Sequence, residues 1–255
     1  MEASEMLRSV RSRGGLSQTE LARMAEVAPS TVSRIERGEL EPTWSMVNRL
    51  LEAVGYQPAG GLTSKGDVSA VAAARTVLGE KVGAERDDVR AWVDRWMRAR
   101  FVDAAGRAED VEKIGVQAGN ASRVFDRPNA RRSVVYDRAW QDIATDLATS
   151  GVGYAVTGIT ATSPTRVTDG AAWPIIYVDS IEDAVAAGGL VEQTTAGPRI
   201  TLIAFDETAS AGTVLDGGFI FVSPAQALID SYAGPGRMAD QADAVASRWQ
   251  ASLVA

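Results

Sequence analysis

The apolar positions along the chain change their spacing near residue 134, and the two spacings predict two kinds of structure. In the first half they recur every three to four residues, the period of a helix with one buried face. Met6, Leu7 and Val10 mark a helix over residues 3–13, stopped by Gly14-Gly15. Ser17 with Glu20 three residues later is a capping box for a short second helix carrying Leu21, Ala22, Met24 and Ala25. A turn follows at Glu26-Val27-Ala28. Pro29 then stands where a first helical residue belongs, Val32 and Ile35 supply an inner face, and Gly38 ends the element. Thr43 caps a further helix with Trp44, Val47, Leu50, Leu51 and Val54 inward, ended by Gly55.

Residues 57–67 are turn-rich and lack a period, which predicts a domain boundary. Beyond it, residues 68–78 form an alanine-rich helix, and residues 87–100 a stronger one with Val89, Trp92, Val93 and Trp96 on one side. A tryptophan stripe at that spacing is either core or a surface for dimerisation or docking. Residues 106–119 read as a polar helix. Arg123, Arg127, Arg131 and Arg132 then cluster in a loop that either touches phosphates or pairs with acidic neighbours.

From Val134 on, helices alternate with short apolar runs. Residues 137–148 read as a helix, 152–157 (VGYAVT) and 174–179 (PIIYVD) as strands, and 181–187 as a helix. Residues 199–205 (RITLIAF) and 218–222 (GFIFV) read as further strands, the latter opened by the hairpin turn Gly217-Gly218. Helices over 223–231 and 238–253 close the chain. Mixed order of this kind predicts an α/β or α+β domain. The expected divisions are residues 1–57, a linker and helix at 58–83, a helical middle segment at 84–133, and the mixed domain at 134–255.

Within the first division, Ser30, Thr31, Ser33 and Arg34 are left facing outward. Small hydroxyls with one arginine on an exposed short helix suit base edges, where a guanidinium takes the two acceptors of guanine. The residues Gln18, Leu21-Ala22, Val27, Ser30 to Gly38 (STVSRIERG) and Pro42 resemble the phage-repressor-like (Cro/CI, XRE) helix-turn-helix family over roughly residues 5–57. That resemblance implies a five-helix lambda-repressor-like domain that binds double-stranded operator DNA. It implies that Gln18 holds a phosphate, that Pro29, Ser30, Ser33 and Arg34 read bases, and that Thr31 and Arg37 lie near the backbone. It also implies a structural ion pair between Arg11 and Glu36. The chain departs from the family at Glu26, where the turn usually carries glycine.

A second resemblance covers roughly residues 134–253. The segments Tyr154 to Gly158 (YAVTG), Ile176 to Asp179 (IYVD), Val222 to Asp230 (VSPAQALID) and Gly234 to Arg237 (GPGR) resemble the C-terminal domain of AbiEi-type antitoxins. Those are regulators of toxin-antitoxin operons, and the domain has a nucleotidyltransferase-like fold. The resemblance implies autoregulation and a cognate toxin protein as partner. Thr157-Gly158 lacks the serine of an active nucleotidyltransferase turn, and Ser180 and Ile181 follow Asp179 where a second strand carboxylate belongs. No enzyme is therefore expected.

Composition sharpens these expectations. The chain has 255 residues, no cysteine and no histidine, so disulfides, the usual zinc and iron ligand sets and histidine-based triads are excluded. No metal or other cofactor is expected. The net charge of −7 is uneven: residues 1–60 carry 7 basic and 8 acidic groups, whereas 151–255 carry 4 and 11. The acidic last third should avoid DNA. Acidic residues near the start, and the lack of a long apolar run, predict a cytoplasmic protein with no membrane partner. The combined expectation is a dimeric repressor on a palindromic operator. The competing expectation is a nucleotidyltransferase-like enzyme or ligand sensor with ancillary DNA binding.

Overall fold

The computed structural model describes residues 2–59, 61–80, 82–134, 138–170, 173–192, 199–206, 208–234 and 238–254. They fall into two compact units: Met1–Arg127 with Asp243–Ala255, and Pro128–Ala242.

The first unit opens with α1 (Ala3–Arg13), α2 (Gln18–Met24), α3 (Pro29–Glu36) and α4 (Trp44–Glu52). Residues 1–57 thus hold four helices rather than the expected five, because Gly55 at φ 76° ends the run and Pro58 cannot continue it. The segment read as a boundary instead forms a hairpin of β1 (Tyr56–Pro58) and β2 (Leu62–Ser64), antiparallel with Tyr56 opposite Ser64. Then come α5 (Val68–Val77), α6 (Asp87–Ala99) and α7 (Val111–Ala121), the last starting later than its polar lead-in suggested.

One core joins these helices to the first four. Leu7, Leu21, Val32, Ile35, Leu50 and Leu51 are buried within it, as are Val71, Trp92, Trp96 and Ile114. The tryptophan stripe is therefore core. Trp92 and Trp96 lie with ring centroids 5.6 Å apart, and the Trp92 indole donates to Asp67 Oδ2 at 3.0 Å. The α7 side chains reach back to the start of the chain: Gln117 Nε2 donates to the Gly14 carbonyl at 2.9 Å, and Asn120 Nδ2 to that of Arg13 at 3.0 Å. Gly55 lies against Ala121, whose Cβ would stand 2.3 Å from any Cβ added at 55.

The basic loop does not form as expected. Arg127 is buried, its Nε donating to the Ser122 carbonyl and hydroxyl at 3.0 Å each, so it is unavailable to phosphate. The backbone of Arg131 and Arg132 belongs to a strand of the second unit.

That unit contains β3 (Ala130–Val134), α8 (Trp140–Thr149), β4 (Tyr154–Thr157), α9 (Ile159–Thr162), β5 (Ile175–Val178), α10 (Ile181–Ala187), β6 (Val191–Glu192), β7 (Arg199–Ala204), β8 (Val214–Asp216), β9 (Phe219–Phe221) and α11 (Pro224–Ala233). A final helix, α12 (Met238–Val254), begins here and ends in the first unit's residues. The expected start of α8 at Asp137 and most of the Gly234 to Arg237 segment lie outside the described residues.

The seven strands make one mixed sheet in the order β6-β3-β7-β5-β4-β9-β8. β7 runs parallel to β5 and β9 parallel to β4, and the other neighbours are antiparallel. Gly217 and Gly218, at φ 55° and 87°, form the two-residue turn between β8 and β9, as the sequence predicted. The apolar runs of β4 and β5 are buried at every position. α11 is buried along most of its length, which explains its alanines. Trp140 packs edge-on against Phe219 and Phe221.

Candidate nucleic-acid interface

α2 and α3 form because their ends are chemically specified. Ser17 Oγ accepts from the Glu20 amide at 3.2 Å while Glu20 Oε2 accepts from the Ser17 amide at 2.7 Å, closing the capping box. Pro29 opens α3 without wasting a donor, since the first-turn amides of a helix have no internal acceptor. At its other end Gly38 takes φ 73°, and the Glu39 amide returns to the Arg34 carbonyl at 2.8 Å.

The turn between the two helices keeps the backbone that glycine usually supplies. Glu26 sits at φ 55°, a conformation that costs an L-residue about 1–2 kcal/mol. The Val27 amide reaches the Ala22 carbonyl at 2.9 Å. Two contacts from α6 hold this turn: Arg98 Nη2 lies 3.2 Å from Glu26 Oε1, and Arg98 Nε donates to the Arg23 carbonyl at 3.3 Å.

A buried polar hub fixes α3 against α1 and α2. Glu36 is 5% exposed and accepts Arg11 Nε at 2.8 Å, Arg11 Nη2 at 3.2 Å and Gln18 Nε2 at 2.6 Å. Arg11 Nη1 also donates to the Leu16 carbonyl at 3.0 Å. Hydrogen bonding to Glu36 raises the Arg11 pKa further, outweighing the opposing effect of partial burial. The expected Arg11–Glu36 pair is thus present, and Gln18 joins it. An amide carries two N–H donors, so Gln18 retains one beyond its bond to Glu36.

The inner face of α3 is Val32, Ile35 and Glu36. Pro29, Ser30, Arg34 and Arg37 are exposed, and Thr31 and Ser33 half-buried. Arg34 makes no ion pair among the described residues, so its guanidinium is unengaged. Arg37 is 3.0 Å from Glu39 in an exposed pair, which a phosphate can displace at little cost. Candidate base readers and candidate backbone contacts therefore share one short helix and its flanks. Sequence reasoning missed the residues that brace it, Arg98 on α6 and Lys113 on α7, the latter paired with Glu20.

In the second unit, Thr157 Oγ1 donates to the buried Asp230 Oδ2 at 2.7 Å, and Gln226 Nε2 donates to the same oxygen at 3.0 Å. Gly158 follows at φ 67° and ψ −155°, a conformation open to glycine, and starts α9. The hydroxyl of the Thr157-Gly158 turn, which lacks the serine of an active nucleotidyltransferase, is thus tied inward. Among the described residues no three carboxylates come together as a metal site, and no helix is long and apolar enough to cross a membrane.

Residues 2–60 match a family model described as a helix-turn-helix domain. No curated protein and no solved structure matches the chain.

Proposed function

We propose that the protein is a sequence-specific DNA-binding transcriptional regulator in which α3 enters the major groove. The observation that carries this reading is the unengaged Arg34 beside Pro29, Ser30 and Ser33 on a helix whose other face is locked by the Glu36 hub. A guanidinium held on a rigid element at a groove-sized helix fits bidentate pairing with guanine. Gln18, Thr31 and Arg37 flank it as phosphate contacts that set register. Such a unit reads few base pairs alone, so two copies on a palindromic operator account best for specificity, with polymerase excluded by occupancy.

The mixed C-terminal unit extends the proposal. Its resemblance to the nucleotidyltransferase-like domain of AbiEi-type antitoxins favours a role in protein contacts, with a cognate toxin as partner and the protein's own promoter as operator. The missing serine after Thr157-Gly158 supports contact over catalysis, and the Thr157 hydroxyl is itself bonded inward to Asp230.

The test is binding to the protein's own upstream DNA and to scrambled DNA across a salt series. Arg34→Ala should weaken the upstream site by about 1–3 kcal/mol and leave scrambled DNA nearly unchanged. Gln18→Ala should weaken both. Equal losses on the two DNAs from Arg34→Ala would remove Arg34 from base reading.

A further inference from the structure

Behind the α2–α3 turn the first unit holds an open cleft of about 560 Å³, within the size range of small-molecule sites. α2, α4 and α6 all contribute to its wall, including Glu26, Trp44, Arg49, Glu52, Arg95 and Arg98. The carboxylates there are already committed. Glu26 pairs with Arg98, and Glu52 lies 3.5 Å from Lys65 Nζ. Arg49 and Arg95 have no ion pair among the described residues, which leaves two guanidiniums on one cavity wall without a directly bonded carboxylate. Arg95 is half-buried with its guanidinium carbon 4.6 Å from the Trp92 ring centroid. Burial lowers its pKa, Arg98 adding to the effect and Asp67, Glu52 and Glu26 acting in the opposite sense without cancelling it. An anion would relieve that desolvation.

The remaining wall feature is aromatic. Trp44, the first residue of α4, is 61% exposed, the most of any tryptophan in the first unit. An indole left in water on the same wall as two guanidiniums that bond no carboxylate gives a flat apolar platform and a fork for one. Phosphate alone uses only the fork, and a neutral ring only the platform.

We propose that this cleft binds a small aromatic carboxylate, its ring on Trp44 and its carboxylate on Arg49 and Arg95, and that occupancy loosens the α2–α3 turn through Arg98. Arg98 lines the same cleft as Arg49 and Arg95, so a carboxylate seated there also competes with Glu26 for Arg98, the side chain that braces a turn already held at positive φ. Release of that brace lets the turn relax and shifts the start of α3. This second part rests on the DNA-binding reading, whereas the site itself does not.

The full chain is titrated with 2-naphthoate, with 2-naphthamide as the neutral ring and with inorganic phosphate as the ringless anion, followed by calorimetry and thermal shift. Saturable 2-naphthoate binding is expected, weakened about tenfold or more by Trp44→Ala and by Arg49→Gln. The amide and phosphate should not saturate at about 10 mM. Absence of 2-naphthoate saturation, equal binding by the Trp44→Ala protein, or equal binding of phosphate overturns the site. In a separate arm, saturating 2-naphthoate should lower upstream-DNA affinity about fivefold or more, and Arg98→Gln should abolish that response. Unchanged DNA affinity overturns the coupling. A protein that fails to distinguish upstream from scrambled DNA without 2-naphthoate refutes the DNA reading, and the binding arm still decides the site.

Discussion

Removing the Glu36 carboxylate should destabilise the first unit more than any single exposed charge would. Glu36→Ala deletes the acceptor of two bonds from Arg11 and one from Gln18. Each charge-assisted bond lost from a buried site costs about 1.5–3 kcal/mol, but the three share one acceptor and do not add. Arg11 is 28% exposed and keeps its bond to the Leu16 carbonyl, so its stranded charge recovers some hydration. The net expectation is a loss of about 2–4 kcal/mol, lying below the upper range for a wholly buried pair. At about 2–4 °C per kcal/mol, the first unit's transition should fall by about 5–15 °C. Calorimetric thermal unfolding is the assay, with tryptophan fluorescence, which reports Trp92 and Trp96 together with Trp140 and Trp173 of the second unit, as a second probe. A double-mutant cycle with Arg11→Ala should return a coupling of at least about 1.5 kcal/mol. A coupling below about 0.5 kcal/mol would refute the hub as the tie between α1 and α3.

Other perturbations separate the remaining interactions. Glu26→Gly should change stability by less than about 1 kcal/mol, because relief of the positive φ offsets the lost Arg98 pair and the added chain entropy. Glu26→Val keeps the strain and loses the pair, so it should cost about 2 kcal/mol or more in denaturant titrations; equal effects of the two substitutions would dismiss the strain argument. Burial opposes ionisation of Glu20, but bonds from Lys113 and from Ser17 outweigh it and lower its pKa from 4.5. Its contribution is therefore complete above the unfolded carboxylate's pKa and is lost as pH falls through the lower folded value. Glu20→Gln should be less stable than the parent by about 1 kcal/mol at neutral pH and converge with it once pH has fallen through the lowered folded pKa, and a difference independent of pH would contradict the pairing. Gly55→Ala places a methyl against Ala121 at φ 76° and should cost about 2–4 kcal/mol, whereas wild-type stability would mean that α4 and α7 are not closely packed there.

The elements legible in the sequence are those whose ends or faces carry their own chemistry. Ser17, Pro29, Gly38 and Thr43 announced the first helices because caps act within three or four residues. β4, β5, β7 and β9 were legible as apolar runs flanked by turn residues. The β1–β2 hairpin was not, since two three-residue strands containing Pro58 show no period and read as a linker. β3 was hidden in the same way: Ala130 to Val134 looks like a basic loop, and its pairing is supplied by its neighbours β6 and β7. In the candidate interface, the outward residues of α3 were legible from helical spacing, and the Arg11–Glu36 pair from the family resemblance. The sharing of Gln18 between that pair and the solvent face was not.

The largest departure concerns where the helix-turn-helix unit ends. A 57-residue unit can stand alone when its core closes on itself. Here it does not, because Gln117 satisfies the Gly14 carbonyl from 103 residues away and Asn120 satisfies that of Arg13 from 107. Side-chain to backbone bonds across such separations leave no periodic or compositional trace, and so the sequence suggested a boundary that the packing erases. Tyr56, with its hydroxyl donating to Asn120 Oδ1 at 3.2 Å and its ring buried, would be uncovered by a cut at residue 57. So would Gly55, and the Glu26 turn would lose Arg98. Residues 1–57 expressed alone should therefore melt well below the first unit of the full chain and lose DNA affinity through instability rather than through loss of readers. Adding residues 58–127 and 243–255 should restore the melting transition. If the 57-residue piece melts as the full chain does, the α7 bonds contribute nothing and the boundary read from the sequence is the functional one.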